Sequence, residues 1–288
     1  MKPVIMTDSC SDLPFEYVQE HGLAVIHLTY HFDGKDYLDD FGQSLSHQAF
    51  YRTLRQGAMP TTSQVNVHTF VEAFRPYAER GEELIYIGFS SALSGTFTSA
   101  ATARQLVLEE YPEAKIAVID SRSASLGLGM LVYHAVELRA RGKGYQEIVQ
   151  WVEDHKLKVN HWFTVEDLNH LKRGGRLSGA AALMGTMLNV KPVLHVNDEG
   201  KLIPQAKVRG RAKALKYLKE QLDARIINPA EQVVFISHGD APEDAETLKE
   251  MIRADHPVKD VFTGYIGPVI GSHAGPGTLA VFFFGSSR

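Results

Sequence analysis

Cysteine is nearly absent from this sequence, because Cys10 is the only one among 288 residues. A single cysteine can form neither a disulfide framework nor a cysteine-based zinc cluster. Long apolar runs are also missing: the longest, Leu279–Phe284, has the length of a strand, whereas a membrane helix needs about 20 apolar residues. We therefore expect no integral membrane segment.

An excess of positive charge is missing as well. Lysine and arginine number 30 against 34 aspartates and glutamates, so the net charge is −4. Proteins that bind nucleic acids over a broad surface are usually basic, and we expect no nucleic-acid partner. The hydrophobic fraction of 44% suffices for a buried globular core. A strand-like segment starts at Val4 with no signal-peptide pattern before it, which predicts a cytoplasmic protein.

Short apolar strands alternate with helical patterns in the first half of the chain. Strands separated by helices and apolar along their whole length indicate a parallel sheet covered on both faces. We therefore predict an α/β/α layered domain with a mainly parallel sheet over residues 1–158. Its predicted strands are Val4–Met6, Leu23–Tyr30, Leu84–Phe89 and Ala114–Ile119, and its predicted helices include Ser46–Gln56, Asn66–Arg80, Leu93–Glu110 and Ser125–Arg141.

The pattern changes near Val159, where hairpins mix with helices. Val190–Val196 and Lys201–Val208 flank a turn-forming Asn-Asp-Glu-Gly segment, which is a strong hairpin signal. We predict a second, smaller α/β domain with a mixed sheet over residues 159–288. Its other predicted strands are His161–Val165, Val233–Ser237, Val261–Ile266 and Leu279–Phe284, and its predicted helices are Glu166–Lys172, a small-residue helix at Ser178–Leu188, Arg211–Ala224 and Glu243–Ala254.

Hydroxyl-bearing residues cluster where strands of the first half give way to helices. Ligand sites of open parallel sheets lie at the carboxyl ends of the strands. Hydroxyls and free backbone N–H groups at helix starts can hold an anion without net positive charge. Each segment alone is also an ordinary helix cap, whereas several at one sheet edge predict a shared pocket. The segments concerned contain Asp8 and Ser9, Thr62 and Ser63, Ser94 and Gly95, and Ser121.

Two segments of the second half carry groups suited to an anion. His273 lies among glycines that allow a close backbone approach to a ligand, and its imidazole can handle an anion or a proton. Arg173 and Arg176 flank the diglycine at 174–175, and a guanidinium group makes forked contacts with carboxylate or phosphate. A plain glycine-rich connection and a solvated helix cap are the alternatives for these two segments.

A serine hydrolase acting on lipid esters is an alternative function. Ser90 follows a predicted strand within the sequence Gly-Phe-Ser-Ser-Ala, which is the context of a nucleophile elbow, but Ala92 replaces the second glycine. His238 and His273 follow in the required chain order, although no acid is paired with them locally. The histidines form no His-Glu-x-x-His motif, so we expect no metal site.

A series of motifs extends over nearly the whole chain. They are Thr7-Asp8-Ser9-x-Ser11-Asp12-Leu13, Thr62-Ser63-Gln64, Ser90-Ser91-x-Leu93-Ser94-Gly95-Thr96, Asp120-Ser121 followed by Gly127 and Gly129, Glu166-Asp167-Leu168-x-x-Leu171-x-Arg173-Gly174-Gly175-Arg176, Lys191-Pro192-Val193-Leu194 and Gly267-Pro268-x-x-Gly271-x-His273-x-Gly275-Pro276-Gly277. In these motifs and in their order the sequence resembles the DegV family, whose fatty-acid-binding members act as the FakB-type subunit of bacterial fatty acid kinase. The family's two-domain architecture agrees with the pattern described above.

The resemblance implies a buried tunnel for a long-chain fatty acid whose carboxylate is held by Thr62 and Ser94. It also implies a partner, because in the kinase a separate ATP-binding subunit phosphorylates the carboxylate that this protein presents. We expect Arg173, Arg176 and His273 around the carboxylate, where they would orient it, compensate phosphate charge or dock the partner.

The resemblance thus implies a lipid-binding protein with no catalytic residue of its own and no cofactor besides the bound fatty acid. The sequence contains no Gly-x-x-x-x-Gly-Lys-[Ser/Thr] phosphate-binding loop, which agrees with ATP being bound elsewhere. Asp8, Ser9, Ser63, Gly95 and Ser121 are expected to support the binding loops. A binder of a phosphosugar or another small anion, using the same hydroxyl-rich loops, remains a third alternative.

Overall fold

The structure is a computed structural model that describes residues 2–166, 168–178 and 189–288. The elements of its first half are β1 (Val4–Asp8), α1 (Phe15–Glu20), β2 (Ala24–Ile26), β3 (Thr29–Phe32), β4 (Lys35–Leu38), α2 (His47–Arg55), β5 (Thr61–Ser63), α3 (Val67–Glu79), β6 (Leu84–Gly88), α4 (Thr96–Glu110), β7 (Ile116–Asp120), α5 (Leu126–Ala140) and α6 (Tyr145–His155). Those of its second half are β8 (Val159–Thr164), α7 (Asn169–Arg173), β9 (Val190–Val196), β10 (Leu202–Arg209), α8 (Arg211–Arg225), β11 (Val233–His238), α9 (Pro242–Asp255), β12 (Asp260–Tyr265), α10 (Pro268–Ala274) and β13 (Leu279–Phe284).

Strands of the first half form a parallel sheet in the order β2-β1-β6-β7. Met6 on the central β1 lies opposite Ala24 on one side and Tyr86 on the other. β6 is buried along its whole length, which explains why its sequence is continuously apolar and does not alternate. The predicted mainly parallel sheet is confirmed.

Strands of the second half form a mixed sheet in the order β10-β9-β8-β13-β11-β12. β11 and β12 pair in parallel, whereas β13 runs antiparallel to both β8 and β11. β9 and β10 form the predicted hairpin, and its turn is closed by the Gly200 N–H donating to the Asn197 carbonyl over 2.8 Å. The predicted mixed sheet is confirmed.

Helix α5 packs between the two sheets, since it contacts β1 and β6 as well as β8, β11 and β13. Its glycines bring these layers close together. A Cβ atom at Gly129 would lie 2.6 Å from the Ser11 carbonyl oxygen, and one at Gly127 would lie 2.2 Å from Nε2 of His161. A single apolar core therefore runs from the first sheet to the inner face of the second, while α8 and α9 cover the outer face.

The predicted strand Leu23–Tyr30 is wrong as one element. It divides into β2, which joins the parallel sheet, and β3, which pairs antiparallel with β4 and β5. We did not predict β4, β5 or this small sheet. β5 is the short, largely exposed sequence Thr-Thr-Ser, so no apolar alternation marks it, and its pairing with β3 creates the strand.

Helices α6 and α10 were also not predicted. The sequence of α10, Pro-Val-Ile-Gly-Ser-His-Ala, contains a glycine of low helix propensity. Pro268 suits the first position of the helix, and two distant carboxylates accept its first N–H groups: Asp12 from Gly267 over 3.0 Å and Asp39 from Val269 over 3.2 Å. Tertiary contacts therefore supply the helix start that the local sequence lacks.

Most of the predicted small-residue helix Ser178–Leu188 lies outside the described residues, as does Asp167 of the family motif. The division into domains at residues 158 and 159 stays a prediction. The parallel sheet lies before this point and the mixed sheet after it.

Candidate functional site

A cavity lies where the carboxyl ends of the parallel strands face the inner surface of the mixed sheet. Leu28, Phe89 and Ala124 contribute to its lining from loops that follow β2, β6 and β7. Phe163 and Phe282 line it from the mixed sheet. One face of α10 closes a further side of the cavity. Most of the lining is apolar, so the space suits a hydrocarbon chain.

Polar side chains that the sequence analysis singled out line this cavity from four separate segments. Thr62 and Ser63 come from β5, Ser94 from the turn before α4, Arg176 from the loop after α7, and His273 from α10. The structure therefore brings together Thr62, Ser94, Arg176 and His273, which the sequence places up to 211 residues apart.

Thr62 and His273 are hydrogen-bonded, with 2.8 Å between Oγ1 and Nε2. Burial, together with the positive charges of Arg176 and Arg173, lowers the pKa of His273 to about 4. The imidazole is therefore neutral at pH 7, with one ring nitrogen donating and the other accepting. It can donate Nε2–H to Thr62, which leaves the threonine hydroxyl proton free for a ligand.

Ser94 lies in a tight turn and not in the helix, because α4 begins at Thr96 and not at Leu93 as predicted. The N–H groups of Leu93 and Ser94 both donate to the Ser90 carbonyl, which forms this turn. Ser94 Oγ lies 2.9 Å from Oγ1 of Thr96. Gly95 lies beside it and packs closely against Gln64, since a Cβ atom there would lie 2.1 Å from Oε1 of that flexible side chain.

The two predicted arginines differ in position. Arg176 lines the cavity, and its Nε donates to the Leu93 carbonyl over 3.1 Å, which ties it to the Ser94 turn. Arg173 is exposed and is not among the residues that line the cavity. Its Nη2 lies 3.0 Å from Nδ1 of His170, and its charge reaches His273 only through the electrostatic field.

The predicted supporting residues lie behind the cavity, with the exception of Ser63. Asp8 is fully buried and accepts hydrogen bonds from the Tyr86 hydroxyl (2.7 Å) and the Phe89 N–H (2.8 Å). Burial raises the pKa of Asp8 to about 6. Ser9 Oγ accepts from the Leu28 N–H, and Ser121 Oγ from the Ser123 N–H, each over 3.0 Å. These side chains therefore fix the loops that line the cavity.

Ser90 is not arranged as a hydrolase nucleophile. It is fully buried, and its hydroxyl donates to the Gly200 carbonyl over 2.9 Å. The histidines suggested as its base have other partners: Nδ1 of His238 accepts from the Ala241 N–H, and His273 is bonded to Thr62. The geometry therefore gives no support to the nucleophile elbow suggested by the sequence.

Sequence reasoning missed three further polar residues of the cavity lining. Ser125, Ser237 and His161 line it, and the two serine hydroxyls lie 2.9 Å apart. Ser125 also donates to Asp12, which itself accepts from α10. The sequence pattern gave no signal for these residues: His161 and Ser237 lie on buried strands and Ser125 just before α5, and such a residue is recognised as lining a cavity only when the opposite layer is known.

Two further features of the structure bear on other classes of function. Among the described ranges, every helix is too short or too polar to span a bilayer. In the same ranges, no three side chains of histidine, cysteine, aspartate or glutamate are grouped as metal ligands would be.

Comparison with known proteins places this architecture in a family. The sequence model of one family, described as "Uncharacterised protein, DegV family", matches residues 2–286. A DegV domain-containing protein of Clostridium perfringens is 51% identical over 287 residues, which cover 100% of this chain and 99% of that protein.

Solved structures of the same family superpose on the whole fold. One described as showing fatty acid binding of a DegV family protein from Thermus thermophilus has a TM-score of 0.89 at 31% identity, covering 99% of this chain and 100% of that chain. DegV from Bacillus subtilis, described as a fatty acid binding protein, has a TM-score of 0.83 at 30% identity with the same coverage.

Proposed function

This chain belongs to the DegV family, and on that premise we propose that it binds a long-chain fatty acid, with the carboxylate held by Thr62 and Ser94. One observation carries the proposal: two hydroxyl groups from distant segments line the same cavity, whose lining is mostly apolar. The fatty-acid-binding descriptions of the related solved structures support it.

The cavity can stabilise both the carboxylate and the acyl chain of a fatty acid. A buried carboxylate needs hydrogen-bond donors, and the hydroxyls of Thr62 and Ser94 supply them, with the positive charge of Arg176 nearby. About 14 methylene groups at ~0.8 kcal/mol each give an upper bound of ~11 kcal/mol for burying the acyl chain. Association and chain ordering oppose this by several kcal/mol, which leaves binding in about the micromolar range from the acyl chain, to which the carboxylate contacts add.

Native extraction tests the ligand class directly. The protein is purified without detergent and extracted with organic solvent, and the extract is analysed by mass spectrometry beside an esterase assay. We expect a long-chain fatty acid and no ester turnover. Turnover of an ester would support the hydrolase instead. If neither a fatty acid nor ester turnover is found, a small-anion binder is favoured.

Ser94→Ala tests the carboxylate site. Loss of a buried hydroxyl partner should weaken fatty acid binding by roughly 1–3 kcal/mol, measured by titration with a fluorescent fatty acid. Ser91→Ala is the matched control, because Ser91 lies in the same loop but is exposed and bonds to Asp120. Equal affinities of the two variants would remove Ser94 from the site.

The same proposal includes an ATP-binding kinase subunit as partner, which would phosphorylate the bound carboxylate to an acyl phosphate. Arg176 would compensate phosphate charge, and its position in the cavity lining beside the Ser94 turn supports this role. Arg173 would contact the partner, and its exposure supports this role. His273 would hold Thr62 in the orientation that the carboxylate requires.

Arg176→Ala should reduce acyl-phosphate formation by a cognate kinase subunit more than it reduces fatty acid binding. Arg141→Ala is a control, since Arg141 is an exposed residue paired with Glu137. If Arg176→Ala leaves acyl-phosphate formation unchanged, the assignment of Arg176 is wrong.

A further inference from the structure

Thr96 lies directly behind Ser94 and has no surface exposure at all. Its Oγ1 accepts a hydrogen bond from the Val65 N–H over 3.2 Å and lies 2.9 Å from Oγ of Ser94. The Thr96 N–H also points at Ser94 Oγ, over 3.3 Å. Thr96 is therefore bonded both to the segment that follows β5 and to the hydroxyl that faces the cavity.

The direction of the bond between the two hydroxyls follows from counting donors and acceptors. A backbone N–H can only donate, so Thr96 Oγ1 accepts from Val65 and still has one proton to give. Within the described residues, the acceptor at hydrogen-bond distance from Thr96 Oγ1 is Ser94 Oγ. If Ser94 donated instead, a fully buried threonine hydroxyl would keep an unpaired proton, which is unfavourable.

With Thr96 donating, Ser94 Oγ receives both the N–H and the O–H of that residue. A hydroxyl has two acceptor positions and one proton, so only the proton of Ser94 remains unused. Among the described residues, the contacts of Ser94 Oγ are those with Thr96, and Ser94 lines the cavity, so its proton is available to a ligand there. Ser94 is thereby fixed as a hydrogen-bond donor toward a ligand oxygen.

Thr62 differs from Ser94 in this respect. Its partner, His273, is neutral and can either donate or accept, depending on the tautomer. Thr62 can therefore adapt to its ligand, whereas Ser94 offers a donor only. The pair suits a carboxylate, which accepts at both oxygens.

We infer that Thr96 is a positioning residue, which orients the Ser94 hydroxyl as a fixed donor to the carboxylate of the bound fatty acid. This inference rests on the proposed function and adds a residue to it. Thr96 touches Ser94 and not the ligand, so its effect on binding passes through the Ser94 hydroxyl.

Thr96→Val tests the inference, because valine keeps the shape of the side chain and removes the hydroxyl. Fatty acid affinity should fall roughly tenfold to a hundredfold, the range of a hydrogen bond to a charged group. Thr96→Ser should restore affinity to near the wild-type value. If Thr96→Val does not fold, Thr96→Cys takes its place, since a thiol is only a weak donor.

The double variant Thr96→Val/Ser94→Ala separates positioning from a general structural defect. Positioning predicts that its affinity equals that of Ser94→Ala alone, whereas independent effects would multiply. Wild-type affinity of Thr96→Val, or multiplied losses in the double variant, would overturn the inference. A protein that binds no fatty acid, or an unaffected Ser94→Ala variant, would instead overturn the proposed function.

Discussion

Asp39 is buried in the protein interior, and one of its two oxygens, Oδ1, has no hydrogen-bond partner. Its other oxygen accepts from the Val269 N–H at the start of α10. Burial, with smaller contributions from Asp40 and Asp8, raises the pKa of this carboxyl to about 7. Its charge state near neutral pH therefore bears on the stability of the helix that carries His273.

The raised pKa of Asp39 fixes the sign of a pH effect. Between about pH 4 and pH 7 the folded protein keeps this proton while the unfolded chain releases it, so the contribution of Asp39 to stability falls as the pH rises. Asp39→Asn removes that titration and keeps a carbonyl oxygen for the Val269 N–H. The variant should gain stability relative to wild type by at most about 1.4 kcal/mol per pH unit across this range.

Urea unfolding of both proteins at a series of pH values measures the difference. Asp154→Asn is the control, because Asp154 is exposed and its carboxylate accepts from Gln150. A stability difference between Asp39→Asn and wild type that stays constant with pH would show that Asp39 does not titrate in this way.

At the scale of elements, α10 and the loop after α7 together position the imidazole of His273. The His273 ring packs against Gly174, where a Cβ atom would lie only 2.1 Å from Nδ1. The first glycine of the diglycine is therefore needed for space. The second, Gly175, has a φ of +71° and no atom within 4 Å of its Cβ position, so it is needed for backbone conformation.

This difference predicts separate effects of two alanine substitutions. Gly174→Ala should displace the His273 ring, break its bond to Thr62 and weaken fatty acid binding by about 1 kcal/mol or more. Gly175→Ala should lower the free energy of unfolding by about 1 kcal/mol through backbone strain and leave binding nearly unchanged. If both variants lose the same fatty acid affinity, the close packing of Gly174 against His273 does not explain the loss, and the flexibility of the diglycine loop would explain it instead.

At the scale of the whole molecule, Arg288 ties the two sheets together. Its guanidinium donates to the carbonyls of Val159, Arg122 and Asn197, which belong to β8, the loop after β7 and the β9–β10 turn. It also donates to Ser123 Oγ. Burial lowers the pKa of this arginine to about 10, which still leaves it charged at pH 7.

Arg288→Met should destabilise the fold, because it leaves several carbonyl groups without a donor. We expect a loss of about 1–3 kcal/mol, measured as a lower unfolding temperature. Arg253→Met is the comparison, since Arg253 forms an exposed ion pair with Asp260 and should matter little. Matching unfolding temperatures for the two variants would contradict the role given to Arg288.

The sequence by itself determined the layers of the fold and the residue types of the site. Continuously apolar strands between helices gave the parallel sheet, and the hairpin signal around Asn197 gave the mixed one, because both patterns are local. Thr62 and Ser94 were chosen from family motifs, and both line the cavity.

Only the tertiary structure decided how these residues meet. β5 exists through its pairing with β3, and α10 begins on carboxylates that are more than 200 residues away in sequence. The bond from Thr62 to His273, the outward position of Arg173 and the orientation of Ser94 by Thr96 follow from the same packing. Contacts between distant segments have no local sequence signature, since each depends on where the rest of the chain has folded.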